Sequence, residues 1–191
     1  MASLKGTETE KNLLAAFAGE SQARSRYTYF SKAANREGYR QIEAIFMETA
    51  ENELEHAKRF FKYLEGGMVE ITAAYPAGKI GTTLENLLAA AEGENEEHRV
   101  IYKGMAETAD KEGFPEIAET YRNISKVEME HEARYRKLAE NIEKGKVFKK
   151  DEAVKWKCRN CGYVHEGNEA PDKCPACIHP QAHFEVAAFN Y

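Results

Sequence analysis

The chain has 191 residues and a formal net charge of -5, with 31% charged and 42% hydrophobic residues. This composition allows a conventional hydrophobic core and excludes wholesale disorder. The acidic balance argues against nucleic-acid binding, which usually requires a basic face. No hydrophobic run reaches the roughly 20 residues that span a bilayer. Because the N-terminus also lacks the hydrophobic stretch of a signal peptide, we expect a cytoplasmic protein that does not bind membranes.

Two long helices are predicted in the first part of the chain. A capping box begins the first helix at Thr7, hydrophobic residues at helical spacing follow, and Gly38 ends it. A second hydrophobic stripe continues until Gly66. Residues 66–81 contain a proline and several glycines, so they are predicted to form a loop long enough for a crossover.

Two further helices follow this loop. Thr82 begins another capping box, and Gly113 ends the helix that it opens. Pro115 is well suited to the first turn of the fourth helix, which is predicted to continue to Gly145. The fold class is therefore predicted as mainly α, a four-helix bundle with one long crossover.

The composition changes sharply after the fourth helix. Residues 1–148 contain no Cys and no Trp, whereas residues 149–191 contain all four Cys and the single Trp. Cytosolic thiols are kept reduced, so the cysteines are better interpreted as metal ligands than as disulfides. We predict two domains with these limits.

The two predicted helix pairs repeat one another. The related residues are Glu37 and Glu112, Glu53 and Glu128, His56 and His131, each pair 75 residues apart, and Glu20 and Glu94, which are 74 apart. One residue was therefore gained in the second half. A bundle of two related hairpins has a pseudo-twofold axis, and a symmetric site can lie on it.

Acidic and histidine side chains occupy the hydrophobic stripes of all four helices. They are Glu20, Glu53, His56, Glu94, Glu97, Glu128 and His131. Burying five carboxylates without a cation would be costly. One Glu on each of two helices, with Glu-x-x-His on each of the others, is the ligand pattern of di-iron and di-manganese bundles. Carboxylate oxygens and imidazole nitrogens suit Fe or Mn, so we predict a dinuclear site.

Glu97 exceeds the symmetric set of six ligands, since Ala23 is its counterpart in the first half. Five carboxylates give a diferrous site the same formal charge as an oxo-bridged diferric site. Exchanging Glu97 for neutral His56 would make the diferrous site neutral, so a ligand exchange coupled to reduction is expected.

Other polar residues lie near these candidate ligands. Tyr27 and Tyr102 are 75 residues apart, and they either pack in the core or orient a ligand carboxylate by a hydrogen bond. Glu92, Glu96 and His98 are expected on the solvated surface because they lie at other helical phases.

The C-terminal segment contains two chelating turns. They are Cys158-x-x-Cys161 and Cys174-x-x-Cys177. Four thiolates at this spacing form a tetrahedral site for Zn or a single Fe. So short a segment cannot bury enough hydrophobic area to fold alone, so the metal is expected to organise it. Trp156, Tyr163 and Phe184 make a dense aromatic set, whereas His165, His179 and His183 are expected at the surface.

Taken together, these motifs resemble the rubrerythrin family. The segments that match are Gly19-Glu20, Glu53-Leu-Glu-His56, Gly93-Glu94-Asn-Glu-Glu97, Glu128-Met-Glu-His131 and the two Cys-x-x-Cys turns. The resemblance implies a ferritin-like bundle followed by a rubredoxin-like Fe(Cys)4 domain, and a non-haem di-iron peroxidase that reduces hydrogen peroxide to water. It also implies protection against oxidative stress in an anaerobe or microaerophile, and a homodimer or larger assembly. The Fe(Cys)4 site of one subunit would lie near the di-iron site of another.

The resemblance further implies three Fe per chain and a role for each ligand. Glu53 and Glu128 would bridge the two irons. The terminal ligands would be Glu20 and Glu97 on one iron, with His56 replacing Glu97 on reduction, and Glu94 and His131 on the other. The chain has no Gly-rich dinucleotide motif, so an external electron donor, a rubredoxin or a reductase, is implied.

Three other functions remain open from the sequence. A ferroxidase or iron-storage protein of ferritin type would explain the bundle but gives the cysteines no role. A manganese catalase needs no electron donor, because it disproportionates peroxide. A binding module with two structural zinc sites is the non-enzymatic alternative.

Overall fold

The computed structural model describes residues 3–190, so residues 1, 2 and 191 of the predicted domains lie outside it. The helices are α1 (Glu8–Arg36), α2 (Arg40–Phe61), α3 (Thr83–Glu96), α4 (Tyr102–Lys111) and α5 (Pro115–Glu143). A π-helical segment, Glu97–Ile101, joins α3 to α4. The side chains of Thr7 and Thr82 accept hydrogen bonds from the backbone N–H groups of Glu10 and Glu85, so both predicted N-caps are present. The full capping box is formed at Thr82, whereas the Glu10 carboxylate accepts its hydrogen bond from the backbone N–H of Gly6 and not from that of Thr7.

The helices form two hairpins. Helix α1 packs along α2, and α5 packs along α3 and α4. Residues 62–82 connect the hairpins and contain no helix or strand before the N-cap of α3. The predicted four-helix bundle with one long crossover is therefore confirmed. No helix in the described part of the chain is both long enough and hydrophobic enough to cross a membrane.

The hydrophobic core of the bundle consists of two clusters. One is built around Tyr27, Phe46, Leu87 and Tyr135, and the other around Leu13, Phe60, Tyr102 and Tyr121. The bundle has four helical segments, because α3, the π-helical segment and α4 continue one another. In each of the four, a candidate metal ligand lies in sequence between residues of one cluster and residues of the other. The ligands therefore meet between two hydrophobic layers that keep bulk water away.

The ends of the hairpins are held together by two glutamates of the sequence repeat. The Glu37 carboxylate, just after α1, accepts hydrogen bonds from the backbone N–H of Thr83 at the start of α3. The Glu112 carboxylate, just after α4, accepts them from Glu8 and Thr9 at the start of α1. A carboxylate at a helix N-terminus satisfies unpaired N–H groups and interacts favourably with the helix dipole. Each hairpin thus caps the first helix of the other.

The π-helical segment was not predicted, since the sequence analysis expected one uninterrupted α-helix from Thr82 to Gly113. Tyr27 follows Glu20 by seven positions, whereas Tyr102 follows Glu94 by eight. A single inserted residue is accommodated within a helix as a π-bulge. The change of repeat offset from 74 to 75 was the sequence signal for it.

The C-terminal residues form a small antiparallel sheet. Its strands are β1 (Lys149–Cys158), β2 (Val164–Glu169) and β3 (Phe184–Val186), with the order β2-β1-β3. The module packs against the N-terminal end of α2, where the Tyr39 ring stacks on Phe148 with a centroid distance of 6.2 Å.

Candidate metal centres

Six of the seven predicted ligands of the bundle converge. One group consists of Glu20, Glu53, His56 and Glu128, and the other of Glu53, Glu94, Glu128 and His131. Within each group the candidate ligand atoms lie within 4.8 Å of one another. Two groups that share two carboxylates have the geometry expected of a dinuclear site with two bridging ligands.

The two histidines occupy equivalent places in this cluster. Nδ1 of His56 lies 2.9 Å from Glu53, 3.1 Å from Glu128 and 3.7 Å from Glu20. Nδ1 of His131 lies 2.8 Å from Glu128, 3.3 Å from Glu53 and 3.7 Å from Glu94. The near-equal distances reproduce the pseudo-twofold relation that the sequence repeat predicts.

Many buried polar atoms of the cluster carry no hydrogen bond. Among the described residues these atoms include Oε2 of Glu20, Oε1 of Glu53, Oε2 of Glu94, both carboxylate oxygens of Glu128 and Nδ1 of His131. Buried carboxylates without partners are costly, and two cations among them would remove that cost. The donor set therefore fits a pair of metal ions.

Without a metal ion, the pKa of several groups in the cluster is raised. Burial raises the pKa of Glu20 and Glu94 above the usual range, and the charge of Glu53 raises both further. Burial alone would lower the pKa of His56 and His131, but the adjacent carboxylates of Glu128 and Glu53 raise it to about 10 and about 12, respectively. Metal binding would therefore displace protons from these groups.

Tyr27 and Tyr102 contact the ligands as well as the core. The Tyr27 hydroxyl donates a 2.5 Å hydrogen bond to Glu94, and the Tyr102 hydroxyl donates one to Glu20. Burial, followed by the charge of Glu20, raises the pKa of Tyr102, so its hydroxyl stays protonated as a donor. Each tyrosine thus orients the carboxylate that the other half of the repeat supplies.

Glu97 is the predicted ligand that lies outside both groups. It begins the π-helical segment and is half-buried. Burial, and then the negative charges of Glu94 and Glu128, raise the pKa of its carboxyl well above the usual range. Glu97 therefore lies close enough to the cluster to interact electrostatically with it. In this arrangement His56, and not Glu97, belongs to the ligand group that contains Glu20, where the family resemblance placed Glu97 as a terminal ligand.

Three histidines are more buried than predicted. The side chain of His98 is only 10% exposed, and its Nε2 lies 2.7 Å from a Glu132 carboxylate oxygen. His98 belongs to the π-helical segment, which shifts the helical phase on which its predicted exposure depended. His183 is half-buried because its 3-10 turn packs against α2, and His165 is half-buried on β2. The predictions are correct for the exposed residues Glu92, Glu96 and His179.

The four cysteines of the C-terminal module form a second candidate centre, with all four Sγ atoms within 4.8 Å of one another. The Sγ distances are 3.8 Å from Cys158 to Cys177 and 3.6 Å from Cys161 to Cys174, so no disulfide is present among them. A tetrahedron with metal–sulfur bonds of roughly 2.3 Å has edges of about 3.8 Å. The backbone N–H of His179 lowers the pKa of Cys177 to about 6, so this thiol readily becomes a thiolate ligand.

Both parts of the chain match family models, "Rubrerythrin" over residues 11–139 and "Rubrerythrin, rubredoxin-like domain" over residues 156–185. The chain belongs to the rubrerythrin family. It is 62% identical to rubrerythrin of Porphyromonas gingivalis over 189 residues, which cover 99% of this chain and 94% of that protein. It is 55% identical to rubrerythrin of Nitratidesulfovibrio vulgaris over 191 residues, which cover both chains fully.

Solved structures show the same architecture. A structure of nigerythrin in a partially reduced state has a TM-score of 0.64 at 31% identity, and the match covers 97% of this chain and 88% of that one. Bacterioferritin BfrA of Mycobacterium tuberculosis has a TM-score of 0.64 at 18% identity over 75% of this chain and 90% of that one. The latter likeness shows the ferritin-like fold alone. The rubrerythrin family, with its di-iron and rubredoxin-like domains, and both donor sets indicate iron as the metal.

Proposed function

We propose that this member of the rubrerythrin family is a peroxidase that reduces hydrogen peroxide to water and protects the cytoplasm of an anaerobe or microaerophile from oxidative stress. The observation that supports it is the presence of two different donor sets in one chain. The bundle offers carboxylates and histidines for two irons, and the C-terminal module offers four thiols for one. We therefore propose three Fe per chain.

The geometry supports a role for each side chain of the bundle. Glu53 and Glu128 belong to both ligand groups, so they would bridge the two metal positions. The remaining ligands would be Glu20 and His56 at one position and Glu94 and His131 at the other. When bound, a pair of ferrous ions supplies the two electrons that cleavage of the peroxide O–O bond requires, and the Fe(Cys)4 ion carries one electron at a time.

The position of the Cys module supports an assembly of at least two chains. The module packs at the start of α2, near Arg40, and Glu53 lies thirteen residues later on the same helix. This separation corresponds to about 20 Å along the helix axis. Electron tunnelling slows steeply with distance, so we propose a homodimer or larger assembly in which the Cys module of one subunit approaches the dinuclear site of another. An external rubredoxin or reductase would reduce the module.

The test uses iron-loaded full-length protein. It should be red from ferric–thiolate absorption and bleach on reduction, and the reduced protein should convert hydrogen peroxide to water without added donor for a single turnover. Protein loaded with zinc is the control and should be colourless and consume no peroxide. A reduced iron protein that leaves peroxide intact, or that instead deposits many ferric ions per chain from air, would contradict the proposal.

The relay role is tested separately with Cys161→Ser. This variant should lose turnover driven by a rubredoxin-type donor, because the one-electron centre is disrupted. Its chemically reduced bundle should still consume peroxide once. If donor-driven turnover survives unchanged, the Cys module is a structural element and not a relay.

A further inference from the structure

A cavity of about 280 Å³ lies between α1, the π-helical segment and the crossover loop. Glu97, Tyr27 and Tyr102 are among its lining residues. Because the two tyrosines hydrogen-bond to Glu94 and Glu20, the cavity lies next to side chains that contact two carboxylates of the dinuclear site.

Two glycines keep this cavity open. Gly19 and Gly93 both line it, and each directly precedes a candidate ligand, Glu20 or Glu94. Glycine inside a helix is destabilising relative to alanine. A Cβ atom at Gly93 would meet no atom within 4 Å, so close helix packing does not explain the glycine there. The open cavity that Gly93 lines does explain it.

Tyr75 forms the outer wall of the cavity. Its hydroxyl donates a 2.7 Å hydrogen bond to the backbone carbonyl of Ala15 on α1. Its ring lies over Gly19, where a Cβ atom would be 3.5 Å from Cε1 of the ring. The neighbouring loop residues Ala73 and Pro76 also line the cavity. The crossover loop is thus attached to α1 by the one aromatic residue that covers the cavity from the loop side.

We infer that this cavity is the route by which a hydroperoxide reaches the dinuclear site, and that Tyr75 limits the size of the hydroperoxide that enters. The identity of the oxidant rests on the proposed function. A water molecule takes about 30 Å³ of liquid volume, so hydrogen peroxide fits easily. The cavity is lined by polar side chains, among them Arg26 and Glu97, and by small residues, among them Ala16 and Ala23. Beside these small residues it would accept a hydrocarbon group if the Tyr75 ring were absent.

An organic hydroperoxide would react with the same stoichiometry as hydrogen peroxide. Two electrons from the reduced centre and two protons cleave the O–O bond of ROOH to give ROH and water. The size of R therefore affects entry and not the electron balance. A depression beside His131, lined by Asn52 and Arg134, and a cavity beside Tyr102, lined by His98 and Ser125, are alternative routes, and changes at Tyr75 would affect neither.

The first experiment compares hydrogen peroxide with cumene hydroperoxide in single turnovers of the reduced, iron-loaded protein. Tyr75→Ala should raise the rate with cumene hydroperoxide relative to that with hydrogen peroxide by about tenfold or more, the scale on which pocket walls discriminate between substrates. Tyr75→Phe is the matched control, because it removes the hydrogen bond to Ala15 but keeps the ring. An unchanged ratio in Tyr75→Ala would overturn the size limit.

The second experiment blocks the cavity and does not depend on peroxidase activity. Gly93→Leu places a side chain in the open space and should slow the association of azide with the oxidised iron centre, followed by its absorption spectrum, by about tenfold or more. Gly104→Leu is the control, since Gly104 is exposed on α4 and a Cβ there also meets nothing within 4 Å.

These two experiments separate the inference from the proposed function. Equal azide association in Gly93→Leu, Gly104→Leu and the unchanged protein would show that small molecules enter elsewhere, and would overturn the inference. If the protein reduces no hydroperoxide at all, the proposed function fails, yet slower azide association in Gly93→Leu alone would still establish the route.

Discussion

The hydrogen bond between Tyr102 and Glu20 should contribute measurably to stability. Glu20 is fully buried, its Oε2 has no hydrogen-bond partner, and Tyr102 is the donor to its Oε1. Tyr102→Phe therefore leaves the carboxyl without any hydroxyl donor. Removing one partner of a buried pair costs about 1–3 kcal/mol, and each kcal/mol lowers the Tm of a domain of this size by roughly 2–4 °C.

The chain offers a matched control next to this residue. The Tyr121 ring is stacked on Tyr102 with a centroid distance of 5.8 Å, and its buried hydroxyl has no hydrogen-bond partner among the described residues. Tyr121→Phe removes an unsatisfied polar atom from the same layer, so it should leave the Tm unchanged or raise it.

The assay is thermal unfolding of the metal-free protein, followed by helical circular dichroism. Zinc titration of the same variants measures the ligand site, where losing a group that orients a ligand typically weakens metal binding by about 10–100-fold. Equal Tm shifts and equal zinc affinities for Tyr102→Phe and Tyr121→Phe would refute the argument that the hydrogen bond to Glu20 matters.

Three further predictions concern other parts of the fold. Hydrogen bonds from Thr9 lower the pKa of Glu112, so its stabilising effect is present above the usual carboxyl range and lost as the pH falls through the lowered pKa. Glu112→Gln should therefore reduce the Tm at pH 7 but not in acid, whereas Glu107→Gln, at an exposed position on α4, should leave the Tm unchanged at both pH values. Ile178 is 68% exposed and has φ +61°, which costs a non-glycine residue roughly 1–2 kcal/mol, so Ile178→Gly should raise the urea concentration at which the ferric–thiolate colour disappears; a lower concentration would contradict this. Glu97→Ala should still bind two metals but destabilise the diferric form, and His56→Ala should impair the diferrous form; identical iron positions and ligands in oxidised and reduced crystals would contradict the predicted exchange.

The helices were predictable because their signals are local. N-caps at Thr7 and Thr82 and glycines at positions 38 and 113 mark their ends, and both glycines adopt positive φ. The convergence of six side chains was predictable for a different reason. The sequence repeat relates Glu53 and His56 to a second pair on α5, so both pairs are expected at equivalent depths in the bundle.

What the sequence did not reveal depends on contacts between distant segments. The bonds from Glu37 and Glu112 to helix starts cross from one hairpin to the other, and no local pattern encodes a partner 46 or 104 residues away. Tyr75 lies in a loop without hydrophobic periodicity, so its contact with α1 had no signal. His98 was assigned by an α-helical period that the π-helical segment interrupts.

The same segment explains why the dinuclear site is not fully symmetric. Each half of the repeat supplies a tyrosine for the other half's glutamate, Tyr27 for Glu94 and Tyr102 for Glu20, so neither hairpin can orient its own terminal carboxylate. The residue gained between Glu94 and Tyr102 is absorbed as a π-bulge that starts at Glu97. Because the insertion falls after Glu94 and before Tyr102, both hydrogen bonds between a tyrosine and a glutamate are retained. Glu97 instead lines the cavity. The asymmetry is thus confined to the one side of the site where a carboxylate has no counterpart in the other half.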